Sequence, residues 1–112
     1  MTKDEALKYL KEAIDEIDNL KKCEILGEEH TMWLLSTKGL LKEVFGENSD
    51  FYSHFCEINF DAKGDSRFDS WYYRQEMEKL KKDAYFKGLA QAKGVLRSAL
   101  QHIERFGLPE KK

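Results

Sequence analysis

Three histidines, two cysteines and a spread of carboxylates are the residues of this 112-residue chain whose types could do chemistry. His54 has Asp50 four residues before it and Glu57 three after it, and either spacing sets both groups on one helix face. A di-iron site in a helical bundle needs Glu-x-x-His on two helices and further glutamates from the others. That set is absent from the sequence, so neither a metal nor a cofactor is expected. His30, His54 and His102 fall one to each of three helices and read as surface or boundary residues. Cys23 and Cys56 form no CxxC pair and have no identifiable base. They read as free buried thiols in a reducing compartment. Ser49 and Ser53 occupy capping or helical positions, which leaves no nucleophile. Neither GxGxxG nor GxxxxGK[ST] occurs. Gly88 and Gly94 lie inside a helix, where glycine permits close approach of a neighbour.

The segment "RSALQH", Arg97 to His102, is an Arg-x4-His. It resembles the motif of HEPN ribonucleases, small all-helical domains that dimerise to form a composite site. The resemblance implies that Arg97 steadies phosphate charge and that His102 acts in proton transfer during RNA cleavage. The residue after the Arg, usually Asn, His or Asp in that family, is Ser98 here. Five residues of regular helix turn through about 140°. The two side chains therefore meet on one phosphate only across a helix break or a dimer. A solvated Arg97 and a boundary His102, with no catalytic residue, is the simpler reading.

Composition narrows the function classes. Nineteen basic residues against 21 acidic ones leave a net charge of -2, with no basic footprint for nucleic acid. The cluster "KLKKD", Lys79 to Asp83, is flanked by Glu76 and Glu78, which are in reach of it on a helix, so it reads as a solvated face. No apolar run approaches the ~20 residues of a membrane span, and the opening "MTKDEALKYL" is unlike a signal peptide. A cytoplasmic protein is expected. Seven Phe, five Tyr and two Trp argue for a packed core.

The elements that must position these residues read as all-α. Thr2 and Glu5 have capping-box spacing, and Leu7, Leu10, Ile14, Ile17 and Leu20 form one helical stripe to about Lys22. A second helix starts near Glu28, after Gly27, with a stripe of Trp33, Thr37, Leu40 and Val44. Phe45 and Gly46 should end it, Gly46 taking a left-handed conformation. Asn48 or Ser49 should cap a third helix to Phe60, burying Phe45, Phe51 and Phe55 together at a tight structural corner. A last helix is expected from Ser66 or Asp69 to Phe106. Its pattern slips by one residue, from Tyr73, Met77, Leu80 and Ala84 to Tyr85, Leu89, Ala92, Leu96, Ala99, Ile103 and Phe106. The slip predicts an irregularity or a change of packing partner near Lys82 to Gly88. The whole is an antiparallel four-helix bundle with a long C-terminal helix, kinked or continuous, a single domain over 1–108, with 109–112 as a disordered tail.

The pattern from Met32 to Phe60, a mid-helix Trp, then Phe-Gly-x-x-Ser, an aromatic and a Phe, resembles a small helical N-terminal domain. That domain occurs in bacterial and archaeal TIR-like predicted nucleotide-binding proteins and related phage-defence proteins. The ending, Gly88 to Gly107, is similar to its closing helix. The resemblance implies a sensing, docking or self-association module, with no catalytic residue carried over. No TIR-like domain follows in the sequence given, which reads either as a stand-alone relative or as the N-terminal part of something longer. The expected partner is another protein or a second copy, in a homo-oligomer, without membrane or nucleic acid. The expected interface is Trp71, Tyr72, Tyr73 and Met77, since aromatics and Met anchor interfaces. A small-molecule sensor remains open, with a closed pocket using His30, Thr37 or Tyr85.

Overall fold

A computed structural model describes residues 2–60 and 71–108; of residues 71–77 it describes the backbone alone. The chain is all-helical: α1 (Lys3–Leu20), α2 (Glu28–Phe45), α3 (Asp50–Glu57) and α4 (Trp71–Phe106). Each helix touches two others, in the ring α1–α2–α3–α4–α1. Successive helices run antiparallel. Ala13 meets Trp33, Phe45 meets Phe51, and Phe51 meets His102. Among the described residues no helix is long and apolar enough to cross a membrane.

Local chemistry sets most helix ends. The Thr2 hydroxyl accepts from the Glu5 amide at 3.2 Å and donates to the Glu5 carboxylate at 3.1 Å. Helix α1 stops at Leu20, so Lys21 and Lys22 lie past its last turn instead of within it. Ser49, not Asn48, caps α3, its hydroxyl accepting from the Tyr52 amide at 3.2 Å. Helix α3 ends at Glu57, three residues short of the expected Phe60, because Ile58 turns extended.

The corner between α2 and α3 differs in one detail from expectation. Gly46 has the expected positive φ, 88°, but its ψ is 159°. That is the extended mirror region open essentially to glycine alone, not the left-handed helical one. Its amide still closes the last turn on the Lys42 carbonyl at 2.9 Å. The three phenylalanines also divide. Phe45 and Phe51 pack on each other at 4.7 Å between centroids and are half-buried. Phe55 is fully buried and turns instead to Trp33, at 5.7 Å.

Helix α4 is one unbroken α-helix of 36 residues, about 54 Å at 1.5 Å per residue. The one-residue shift of phase does not interrupt the helix; of the two expected outcomes, a change of packing environment is the one observed. The slip in its pattern marks where the helix leaves the bundle. Residues 78–83 are all exposed, and Leu80 is 53% exposed. From Tyr85 onward Leu89, Ala92, Leu96, Ala99 and Ile103 are completely buried. Phe106, expected in that stripe, is 74% exposed, its ring 5.0 Å from that of His102. The side chains of Tyr73 and Met77, like residues 61–70 and 109–112, lie outside the described residues.

Gly88 performs the role expected of it and Gly94 does not. A Cβ on Gly88 would stand 2.6 Å from Phe60 Cδ1 and 3.2 Å from both the Asn59 carbonyl oxygen and Phe60 Cα. The segment leaving α3 thus lies directly on α4. Gly94 has nothing within 4 Å of its Cβ position and is exposed. Gly88→Ala should lower stability by about 1–3 kcal/mol, since backbone as well as a side chain must move. Gly46→Val should lower it by a similar amount, about 1–3 kcal/mol, through backbone strain alone. Gly94→Ala should instead raise stability slightly, by up to about 1 kcal/mol. Thermal or urea melts of the three variants check the ranking; a Gly88→Ala protein as stable as wild type would contradict the close approach.

Candidate functional site

Three places in the fold could carry function: an aromatic chamber in the core, a groove between α1 and α2, and the outer half of α4. The chamber forms where α2, α4 and the segment leaving α3 meet. Trp33, Phe60 and Tyr85 are large, apolar and spaced to point inward. His30 sits among them, its ring 4.8 Å from Phe60, 5.1 Å from Tyr85 and 6.0 Å from Trp33. It is 4% exposed, which corrects its reading as a surface or boundary residue. The reason is phase: His30 precedes Trp33 by three residues and Thr37 by seven, so all three share the buried face of α2. The expectation holds for His54, exposed, and His102, half-buried.

The chamber is short of hydrogen-bonding partners. His30 Nδ1 and the Tyr85 hydroxyl are both buried with no partner among the described residues. Burial pushes the His30 imidazole below its ordinary value, because the charged form loses its hydration. Burial likewise raises the Tyr85 hydroxyl, with the Cys23 thiol adding to the effect. His30 and Tyr85, two of the three sensor residues, are thus brought together, but their rings close on each other and on Phe60. Thr37 stands two turns along α2 and lines the α1–α2 groove instead.

That groove has a volume of about 430 Å³. Its floor and walls are Ala13, Trp33, Thr37 and Leu40, with Tyr9 and Met32 at the rim, 40% and 62% exposed. Its charged lining is Glu12, Glu16 and Glu29, and no basic residue lines it. Sequence reading missed this site. Met32 and Tyr9 lie off the buried stripes, and only the antiparallel pairing of α1 with α2 places the three glutamates side by side.

The pair Arg97 and His102 separates. Arg97 is exposed toward α1, in a shallow depression with Lys11, Asp15 and Lys93. His102 packs on the other side, 5.5 Å from Phe51 and 6.1 Å from Phe45. No break in α4 lies between them, so within one chain they address different surfaces. Cys23 is half-buried and Cys56 exposed, which corrects their reading as buried thiols; both are free. No group of three metal-binding side chains occurs among the described residues. The backbone of Trp71, Tyr72, Tyr73 and Met77 forms the first turns of α4, and their side chains lie outside the described residues. Comparison with protein-family profiles, curated proteins and solved structures returned no match.

The chamber makes stability depend on pH. His30 is held neutral in the fold, whereas the unfolded chain takes up a proton near pH 6.5. The unfolded state therefore binds more protons as pH falls. Stability should be full above about pH 6.5 and decline below it. His30→Leu should remove most of that slope between roughly pH 7 and 5.5, above the carboxylate range. Equal slopes in both proteins would contradict the buried neutral imidazole. Tyr85→Phe, which deletes a hydroxyl without a partner, should change stability by less than about 1 kcal/mol or raise it.

Proposed function

We propose that this chain is a non-catalytic helical module that binds another protein surface or a second copy of itself through the outer half of α4. The observation that supports this most directly is the contrast within one helix. Beyond Tyr85 the helix carries a fully buried stripe; before it, residues 78–83 stand in solvent, with Leu80 among them. A helical stretch without tertiary packing draws little stability from propensity alone. A partner packed along it would supply the missing burial. The aromatic-rich first turns, Trp71, Tyr72, Tyr73 and Met77, supply side chains of the types that anchor interfaces. The same role is implied by the resemblance to the N-terminal helical domain of TIR-like and phage-defence proteins. Separation of Arg97 from His102 gives a ribonuclease reading no support within one chain.

Sedimentation velocity on wild type and Leu80→Glu, with thermal melts of each, tests the proposal. Wild type should associate at tens of micromolar, and Leu80→Glu should weaken that association while keeping the melting temperature, since Leu80 lies outside the core. A drop in melting temperature of the monomer would assign Leu80 to folding. Cleavage of a mixed RNA pool by wild type, abolished in His102→Ala, would replace this reading with a catalytic one.

A further inference from the structure

We propose that the aromatic chamber is a pH-sensitive latch: protonation of His30 opens it locally and frees the segment leaving α3 from α4, while the rest of the bundle stays folded. Three separate parts of the chain close on one imidazole. His30 is 4% exposed, its ring 4.8 Å from Phe60 after α3, 5.1 Å from Tyr85 of α4 and 6.0 Å from Trp33 of α2. Its Nδ1 has no hydrogen-bond partner among the described residues. A proton arriving there meets apolar rings and no acceptor, and a buried charge without a partner is strongly disfavoured. The surrounding elements supply no counter-charge. The segment leaving α3 brings Asn59 and Phe60, and on α3 itself His54 and Glu57 are exposed. On α4 the facing group is the Tyr85 hydroxyl, with the Cys23 thiol of the α1–α2 connection near it. The neighbouring Lys82, Asp83 and Lys87 are exposed, as are Glu28 and Glu29 on α2. On α1, Asp18 pairs with Lys21 and Glu16 bonds to Asn19. Burial alone lowers the proton affinity of His30, and no charged neighbour contributes.

The latch is local because the element it releases is small. Helix α3 has eight residues, and Ile58 beyond it turns extended, its amide bonded to the Phe55 carbonyl at 3.3 Å. Phe60 then holds to the bundle through its ring, on His30 and on Gly88, where a Cβ would stand 2.6 Å from it. Helices α1 and α4 pack on each other with different residues. Leu10, Ile17, Leu20, Leu89, Leu96 and Ile103 are fully buried and apolar, so a change of pH leaves them unaltered. Short elements with few buried contacts open at lower free energy than the whole fold. An opened chamber returns His30 to water, where it takes up a proton near pH 6.5. The open form therefore binds the extra proton. Opening is suppressed above about pH 6.5 and grows by up to about tenfold per pH unit below it. Tyr85 and Gly88 stand where α4 leaves the bundle, so the latch lies at the root of its exposed half. It requires no partner.

Nuclear magnetic resonance on the whole chain between pH 7.5 and 5 tests the latch. The His30 ring should titrate below about pH 6.5. The Overhauser contact between the Phe60 ring and the Gly88 Hα should weaken in step with that titration, because the closed chamber excludes the proton. Amides of Leu10, Ile17 and Leu96 should keep their protection from exchange throughout. In His30→Leu the Phe60–Gly88 contact should persist to pH 5. His30→Gln, polar but without a titrating proton, is the second control should leucine not fit. Four results would overturn the latch. One is a protonated His30 with the Phe60–Gly88 contact intact, which would mean that the rings hold the imidazolium by cation–π attraction. Another is a His30 ring that stays neutral to pH 5 in the folded protein. A third is loss of protection at Leu10 and Ile17 together with the Phe60–Gly88 contact, which is global unfolding. The last is equal loss of that contact in the non-titrating variants.

Discussion

The indole of Trp33 joins three parts of the bundle, and the other packing follows from its position. Its N–H donates to the Ala13 carbonyl of α1 at 3.0 Å, satisfying a buried donor that would otherwise carry a desolvation penalty. Its ring meets Phe55 of α3 and, edge to face, Phe60 beyond it. One side chain thus sets the spacing of α1 to α2 and the direction in which the chain leaves α3. Phe60 then comes down on Gly88, the residue of α4 without a side chain to block it. Tyr85 and His30 complete the chamber. Trp33 also lines the groove between α1 and α2.

The aromatic chamber joins strength to a local cost. Four rings in mutual contact bury large apolar areas and gain from edge-to-face geometry. Two polar atoms, His30 Nδ1 and the Tyr85 hydroxyl, are buried without a partner among the described residues. The fold accepts this because the ring bodies, not their polar atoms, supply the packing. It follows that the chamber is a structural element sensitive to protonation.

Much of the fold was legible in the sequence. The stripes in α1 and α2, Gly27 as a break, Thr2 and Ser49 as caps, and the buried run from Tyr85 to Ile103 depend on local spacing, and the structure reproduces them. The errors also have local causes. The third helix was drawn too long because Phe60 continued its apolar pattern, whereas Phe60 reaches the core from extended chain. The slip in α4 leaves an irregularity and a change of packing partner equally open from spacing alone, and the change of environment near Tyr85 is what the assembled helices add. His30 was placed at the boundary because histidine usually sits there, although its phase with Trp33 and Thr37 pointed inward.

The sequence by itself determined helix content, the order of the helices and the identity of most core residues, because capping and periodicity act within a few residues of one another. Tertiary structure alone decided which faces remain open. Glu12, Glu16 and Glu29 are one acidic site only because α1 and α2 pair antiparallel at a distance set by Trp33. Lys79 and Leu80 are a free surface only because α4 outruns the helices beside it. Arg97 and His102, five residues apart in the chain, part because helical rotation turns them toward different neighbours. Contacts between distant segments carry no local signature, so the surface chemistry appears only when the helices are assembled.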